Sequence, residues 1–371
     1  PPPAPPPPPP RAATPPPAAT RRPTPIAPPS PRPTPPPVAT GQRNERPTVT
    51  DANVVLGRID PDNPIGGKLD RLDVDAAAKA IDEHVGSKLG LSVTEAAEAI
   101  LTVANSRMAG AIRLVSIERG FDPKRFAFMP FGGGGALHTG AMLKEVGIGY
   151  AIVPRFPGVT SAMGCVIADM RQDFVQTVNS LTGALDTDEL TALIQTHVDD
   201  GLALLVASAS RFESRDVVIE LDMAYVGQTH TVSVPLSTEM NKGQVAPPTT
   251  TDIESAFDEA YKATYGRLLK NGQRRVMNLR TAVIGRRPKF DLVTLAPTGG
   301  DLASALTGTR SVHFGDTWHE TNIYDRLALP VGAKLKGPAI LVQPDTTVLV
   351  DPGLIAEVDN CGNTIIAPKE A

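Results

Sequence analysis

The chain has 371 residues with 36 Lys and Arg against 40 Asp and Glu, enough for two or three domains but too acidic to neutralise nucleic-acid phosphates. Two cysteines, Cys165 and Cys361, exclude a disulfide framework or a four-thiolate metal site, so a reduced, cytoplasmic protein is expected. No apolar run in the sequence approaches the ~20 residues of a bilayer span, and residues 1–40 lack the apolar core of a signal peptide, so no membrane partner is expected.

In chain order, the first segment is a Pro-rich arm over 1–45. Of the 38 prolines, 21 fall within residues 1–40, together with four arginines and no acid. Such runs favour extended polyproline II, which buries nothing. The Pro-x-x-Pro spacings near Arg11, Arg21 and Arg32 suit either a solvated tail or a ligand for aromatic grooves. A third reading is that the arm replaces a genuine upstream region, because Pro, Ala, Arg and Thr, which fill nearly all of residues 1–40, are what GC-rich codons yield out of frame.

Residues 47–57 enter the globular part. Asp73 caps a helix predicted over 74–88, and Ser92 with Glu95 forms a capping box for a helix reaching Gly120, expected to cross a sheet. Residues 125–131 read as a strand, Gly132–Gly135 as a loop, 136–146 as a helix closed by Gly147, and 150–153 as the next strand, giving a βαβ unit. A short helix near 160–168 leads to a strand at 173–178, then a helix at 187–209. Alternating residues make strands of 217–225 and 232–236, Thr251 with Glu254 caps a helix ending near Gly266, and 275–287 is a further strand. After a loose loop over 291–309, only short strands with Gly and Pro turns follow.

Four consecutive glycines between a strand and a helix carry the most chemistry. Without Cβ atoms their N–H groups approach a ligand closely, and the following helix favours anions or polar edges. The dinucleotide pattern Gly-x-Gly-x-x-Gly fails at Leu137, and the phosphate-loop pattern fails because Gly140 is followed by Ala141 and Met142. The glycines are then either a tight turn or a backbone contact to some other part of a nucleotide.

The string Phe131-Gly-Gly-Gly-Gly-Ala-Leu-His-Thr-Gly140, followed by Pro157-Gly158-Val-Thr-Ser-Ala-Met-Gly164, resembles the hydantoinase A / 5-oxoprolinase family. So do Thr48-Val-Thr-Asp-Ala-Asn-Val-Val-Leu-Gly57, Val103-Ala-Asn-Ser-Arg-Met-Ala-Gly-Ala-Ile-Arg113 and Gly337-Pro-Ala-Ile-Leu-Val-Gln-Pro-Asp-Thr346. The family also includes acetone- and acetophenone-type carboxylase subunits. The resemblance implies an α/β, actin-like (sugar kinase/heat-shock ATPase) lobe at 46–180, incomplete, followed by an α+β segment at 181–290 and a small C-terminal β module at 291–371. It further implies ATP and Mg²⁺ as cofactors, with phosphate and metal contacts from an N-terminal half whose Asp-Val-Gly-Gly-Thr turns do not occur in this sequence. Gly132, Gly133, Gly134 and Gly135 would then contact adenosine, with Asp51 and His138 towards the cleft as catalytic candidates. The implied activity is ATP-coupled hydrolysis of a cyclic amide such as hydantoin or 5-oxoproline. The alternatives are a carboxylase subunit, or a truncated fragment that binds a partner. A second, hydantoinase B-type subunit or another copy of the chain is the implied macromolecular partner.

Other readings are plainer. His138 either polarises a substrate, meets a metal or bonds the helix backbone, and Asp51 is either a loop hydrogen-bonder or a base. His313 and His319 have no cysteine pair for a zinc site, so no metal ligand is assigned. Cys165 reads as inert, buried packing, Glu220 and Asp222 as solvated, and Asp169 with Arg171 and Asp173 as a surface cluster.

Overall fold

The computed structural model describes residues 36–369 apart from positions 43, 68, 238, 239, 242, 243, 270, 271 and 298. Most of the Pro-rich arm lies outside the described residues. Its end does not behave as a tail, because Val38–Thr40 forms a 3-10 turn with Ala39 buried.

The first half is helical. Thr48 and Asp51 make a capping box for α1 (Val49–Val55), and Asp73 accepts from Ala76 N to start α2 (Val74–Ile81). The helix predicted over 74–88 continues through a π turn at Asp82–Gly86 into α3 (Ser87–Leu89), which Gly90 stops in the left-handed region. The predicted Ser92–Glu95 box begins α4 (Val93–Val115). Rather than crossing a sheet, α4 lies against α1 and, further along, α5 (Thr139–Val146). The 125–131 strand shrinks to one parallel bridge between Phe128 and Ala151 of β1 (Ala151–Val153), leaving a minimal βαβ unit. α6 (Thr160–Ile167) buries no residue, and Cys165 is exposed rather than packed.

A second body follows: β2 (Met170–Leu181), α7 (Thr187–Ala207), β3 (Ser214–Tyr225), β4 (Val232–Pro235), β5 (Met240–Asn241), β6 (Gln244–Val245), α8 (Thr250–Tyr265) and β7 (Arg274–Arg286). The order β2-β7-β3-β4 is antiparallel throughout, and the alternating residues of β3 and β4 pair as expected, Leu221 opposite Val234. The cap of α8 is Thr249 with Asp252, two residues earlier than expected; Glu254 instead accepts from Thr182 at 2.5 Å. Asp222 is not solvated: it is buried and accepts from Arg280 and Asn278 at 2.9 Å. Asp169 and Asp173 do remain surface partners of arginines.

The predicted loose loop contains α9 (Leu302–Ala305) and the start of β8 (Leu306–Phe314), followed by β9 (Thr317–Asp325), β10 (Lys334–Lys336), β11 (Ala339–Gln343), β12 (Thr346–Val350), β13 (Leu354–Val358) and β14 (Thr364–Pro368). These strands do not form a detached module. They divide between two sheets, β12-β11-β9-β8 and β1-β14-β13-β10, the second of which takes β1 from the first half. One face of β11–β12 buries Leu341 and Val350 with Met142 and Val146 of α5. The other buries Ile340 and Leu349 with Val54, Leu72 and Leu137. A strand covered on both faces must be apolar at every position, which is why Ala339-Ile-Leu-Val342 is an unbroken run.

Two helices, 93–119 and 187–207, reach the length and hydropathy of a bilayer span, contrary to the expectation from apolar runs. α7 directs Leu190, Ile194, Val198 and Leu205 inward, and Leu190, Ile194 and Val198 join the core of the second body.

Candidate functional site

The glycine loop is held from behind. Gly132 adopts φ 84, a left-handed conformation in which a side chain is strained, and its N–H donates to Pro157 O at 2.7 Å. Thr346 Oγ1 reaches Gly132 O at 3.3 Å and Gly133 O at 3.2 Å, while Asp345 Oδ2 accepts from Gly158 N at 3.0 Å. A Cβ on Gly133 would touch Ile65 at 3.4 Å, whereas one on Gly134 would have nothing within 4 Å. The loop thus presents Gly134 outward. Phe131 and Val159, near it in the chain, are both about half exposed.

Gly135–His138 is a 3-10 turn that runs directly into α5, so His138 sits at the N-cap of that helix. Its Nδ1 lies 2.7 Å from Asn105 Oδ1 on α4. With that oxygen accepting, Nδ1 carries the proton and Nε2 is a bare acceptor. Burial, with the charge of Arg58 nearby, holds the imidazole below its ordinary pKa, so it is neutral at physiological pH.

Asn105 leads to a cluster that sequence reasoning missed. It lines a cavity of about 750 Å³ with Arg58, Glu98 and Asp351. Arg58 Nη2 donates to Glu98 Oε1 at 2.6 Å and to His313 O at 3.0 Å, and His313 Nδ1 meets the same Glu98 oxygen at 3.0 Å. Asp351 is pushed up to about 6, first by burial and then by Glu98, with Arg58 opposing. A Cβ at Gly140 would collide with its carboxylate, and one at Gly337 with its carbonyl. Both glycines were visible in the sequence motifs; the acid that they make room for was not.

Asp51 is placed elsewhere in the chemistry. Its Oδ2 accepts from Thr48 N at 2.7 Å, Thr48 Oγ1 at 2.8 Å and Val38 N at 3.1 Å, and Oδ1 accepts from Ala39 N at 2.8 Å. A buried carboxylate with four donors holds a helix start and a turn together. Of the two catalytic candidates, only His138 stands beside the titratable cluster.

Comparison with known proteins shows the family. Residues 19–174 match the family model described as Hydantoinase/oxoprolinase, and residues 200–370 match the Hydantoinase/oxoprolinase C-terminal domain. The chain belongs to the hydantoinase/oxoprolinase family. It is 30% identical to caprolactamase subunit alpha of Pseudomonas jessenii over 88% of this chain and 47% of that one. With 5-oxoprolinase 1 of Arabidopsis thaliana it shares 28% identity over 87% of this chain and 26% of that one. The crystal structure of the ATP-dependent caprolactamase superposes with a TM-score of 0.68 at 29% identity, covering 90% of this chain and 48% of the other. A nucleotide-free acetone carboxylase structure gives 0.73 at 24% identity, covering 90% and 48%, a likeness of fold. The chain therefore spans about half the length of the caprolactamase subunit and about a quarter of the oxoprolinase.

Proposed function

We propose that this chain is the C-terminal part of an ATP-dependent cyclic amide hydrolase of the hydantoinase/oxoprolinase type, with the Gly132–Gly135 loop contacting the adenosine end of the nucleotide. The observation that carries the reading is Gly134, whose missing side chain opens on space rather than on the fold. A tight turn needs a glycine for its backbone, as at Gly132; an unconstrained glycine facing outward suits close approach of a ligand to the main chain. On this reading the lobe is one half of an actin-like pair, and the nucleotide is enclosed by a second polypeptide region. Exposed Met129, Phe131 and Val159, together with the unburied apolar helix α6, support such a partner face.

ATP, when bound, supplies a phosphoryl group that activates the amide carbonyl oxygen and makes the carbon open to water. The chain's own contribution is His138: Asn105 fixes its ring, and neutral Nε2 is free to accept a proton or hold a water. Among the described residues no three His, Cys, Asp or Glu side chains gather as a metal site, so Mg²⁺ is assigned no ligands on this chain.

The test is Gly134→Val. Thermal shift with Mg-ATP and Mg-adenosine should show stabilisation of the wild-type chain by both, alike in size if only the adenosine end is held. The variant should lose that response, while its ligand-free melting temperature stays within about 2 °C. An unchanged nucleotide response in the variant refutes the loop assignment.

A further inference from the structure

Four glycines in a row have no side chains to hold them, so a loop built from them samples many conformations unless the fold fixes its backbone. In this chain the fixing groups come from the far end of the sequence. Gln343 pairs with Thr346 in the β11–β12 hairpin, which leaves Pro344 and Asp345 as its two-residue turn. Thr346 is fully buried and aims its hydroxyl at Gly132 O and Gly133 O, 214 and 213 positions away. Pro344 O accepts from Gly66 N at 2.9 Å, and Ile65 lies behind Gly133. Asp345 Oδ2 accepts from Gly158 N at 3.0 Å, while the neighbouring Pro157 O takes the Gly132 N–H at 2.7 Å. The approach at Gly158 is so close that a Cβ there would lie 2.5 Å from Asp345 Oδ2. The hairpin is itself anchored: buried Arg326 donates to Gln343 Oε1 at 2.7 Å and to the carbonyls of Val153, Pro154 and Arg155. Constraint therefore reaches Gly132 and Gly133 from the hairpin and from the Pro157 turn, and stops at Gly134, around whose missing Cβ there is nothing within 4 Å.

We propose that Asp345 and Thr346 are positioning residues for nucleotide binding, holding the Gly132–Gly135 backbone in the conformation that the adenosine end meets. The assignment rests on the nucleotide reading of the loop given above. Both residues act through the loop: Thr346 by its hydroxyl on two glycine carbonyls, Asp345 by fixing the turn whose carbonyl takes the Gly132 N–H. Among the described residues neither side chain makes a hydrogen bond inside its own hairpin; both direct their polar atoms out of it. Ordering a loose loop at the moment of binding subtracts from affinity, and ordering it beforehand removes that cost. A merely structural role would show differently, because loss of the Thr346 hydroxyl would then lower the melting temperature and leave nucleotide affinity unchanged.

The experiment is calorimetric titration of the full chain with Mg-ATP and with adenosine, together with amide hydrogen exchange of the ligand-free chain. Thr346→Val keeps the side-chain shape and removes the hydroxyl. It should weaken both ligands by about tenfold while the melting temperature stays within about 3 °C of wild type. Thr346→Ser keeps the hydroxyl and should bind within about twofold of wild type. Asp345→Ala should weaken binding by about fivefold and speed exchange of the Gly132 amide by about tenfold, with exchange in β3 and β7 unchanged. Asp345→Asn retains an acceptor for Gly158 N and should restore both. Wild-type nucleotide affinity in Thr346→Val and Asp345→Ala would overturn the assignment. So would a loss that Thr346→Ser shares, because it would follow from packing rather than from the hydroxyl. No binding by wild type refutes the nucleotide reading itself, whereas wild-type binding that both variants match refutes only the positioning role.

Discussion

Asp351 illustrates how a single side chain can make stability depend on pH. Its folded form holds the proton more tightly than an ordinary aspartic acid, which titrates near 3.8, because burial pushes it up to about 6. The contribution is therefore fully present below the unfolded value and is lost as pH rises through the folded one. Two pKa units correspond to about 3 kcal/mol at most. In urea unfolding, wild type should lose about 2–3 kcal/mol relative to Asp351→Asn between about pH 4 and about pH 7; parallel profiles would show that the acid is not buried as described. Asp51 differs in its partners, with four donors around one carboxylate. From sequence alone the two acids could not be told apart, because what distinguishes them is the neighbours supplied from residues 38–39 in one case and 58–140 in the other. The place of His138 at a helix start was legible, since it follows the last glycine of the loop by three residues.

Among the elements, capping boxes at Thr48 and Ser92 form because the interactions span only three residues. The box of α8 shows the limit of that logic: Thr251 with Glu254 has the right spacing, but Thr249 with Asp252 forms and Glu254 goes to Thr182. The Glu254 carboxylate that local spacing offers to a cap is instead bonded to a residue 72 positions away. α6 is the element whose composition and burial disagree most. Its residues are apolar or small, yet none is buried, and Val166 is 69% exposed. Such a surface on a lone chain promotes association. Val166→Asp should leave the urea midpoint within about 0.5 kcal/mol of wild type, while light scattering should show less self-association as concentration rises. A large loss of stability would mean that the helix is packed rather than exposed.

In the whole molecule, two bodies differ in how local they are. The core under β2-β7-β3-β4 draws only on residues between 178 and 279. A fragment of residues 169–288 should therefore fold by itself, with a single cooperative unfolding transition and near-UV dichroism from Tyr225, Phe257 and Tyr261, which contact one another edge-on or tilted. A chain ending at residue 330 should instead lose the first body, because β1 would lack its partner β14 and the core would lose Leu341, Val348 and Ile366. Failure of the fragment together with survival of the truncated chain would reverse the assignment. The sequence by itself determined the helices with local caps, the antiparallel pair β3–β4, the glycine loop and the family, since each rests on residues close together in the chain. Only the tertiary structure decided that the last strands share a sheet with β1, that Asp222 is buried, and that Arg58, Glu98, His313 and Asp351 gather beside His138. Arg58 and His313 alone lie 255 positions apart, and no local periodicity records which distant backbone will cover a given side chain.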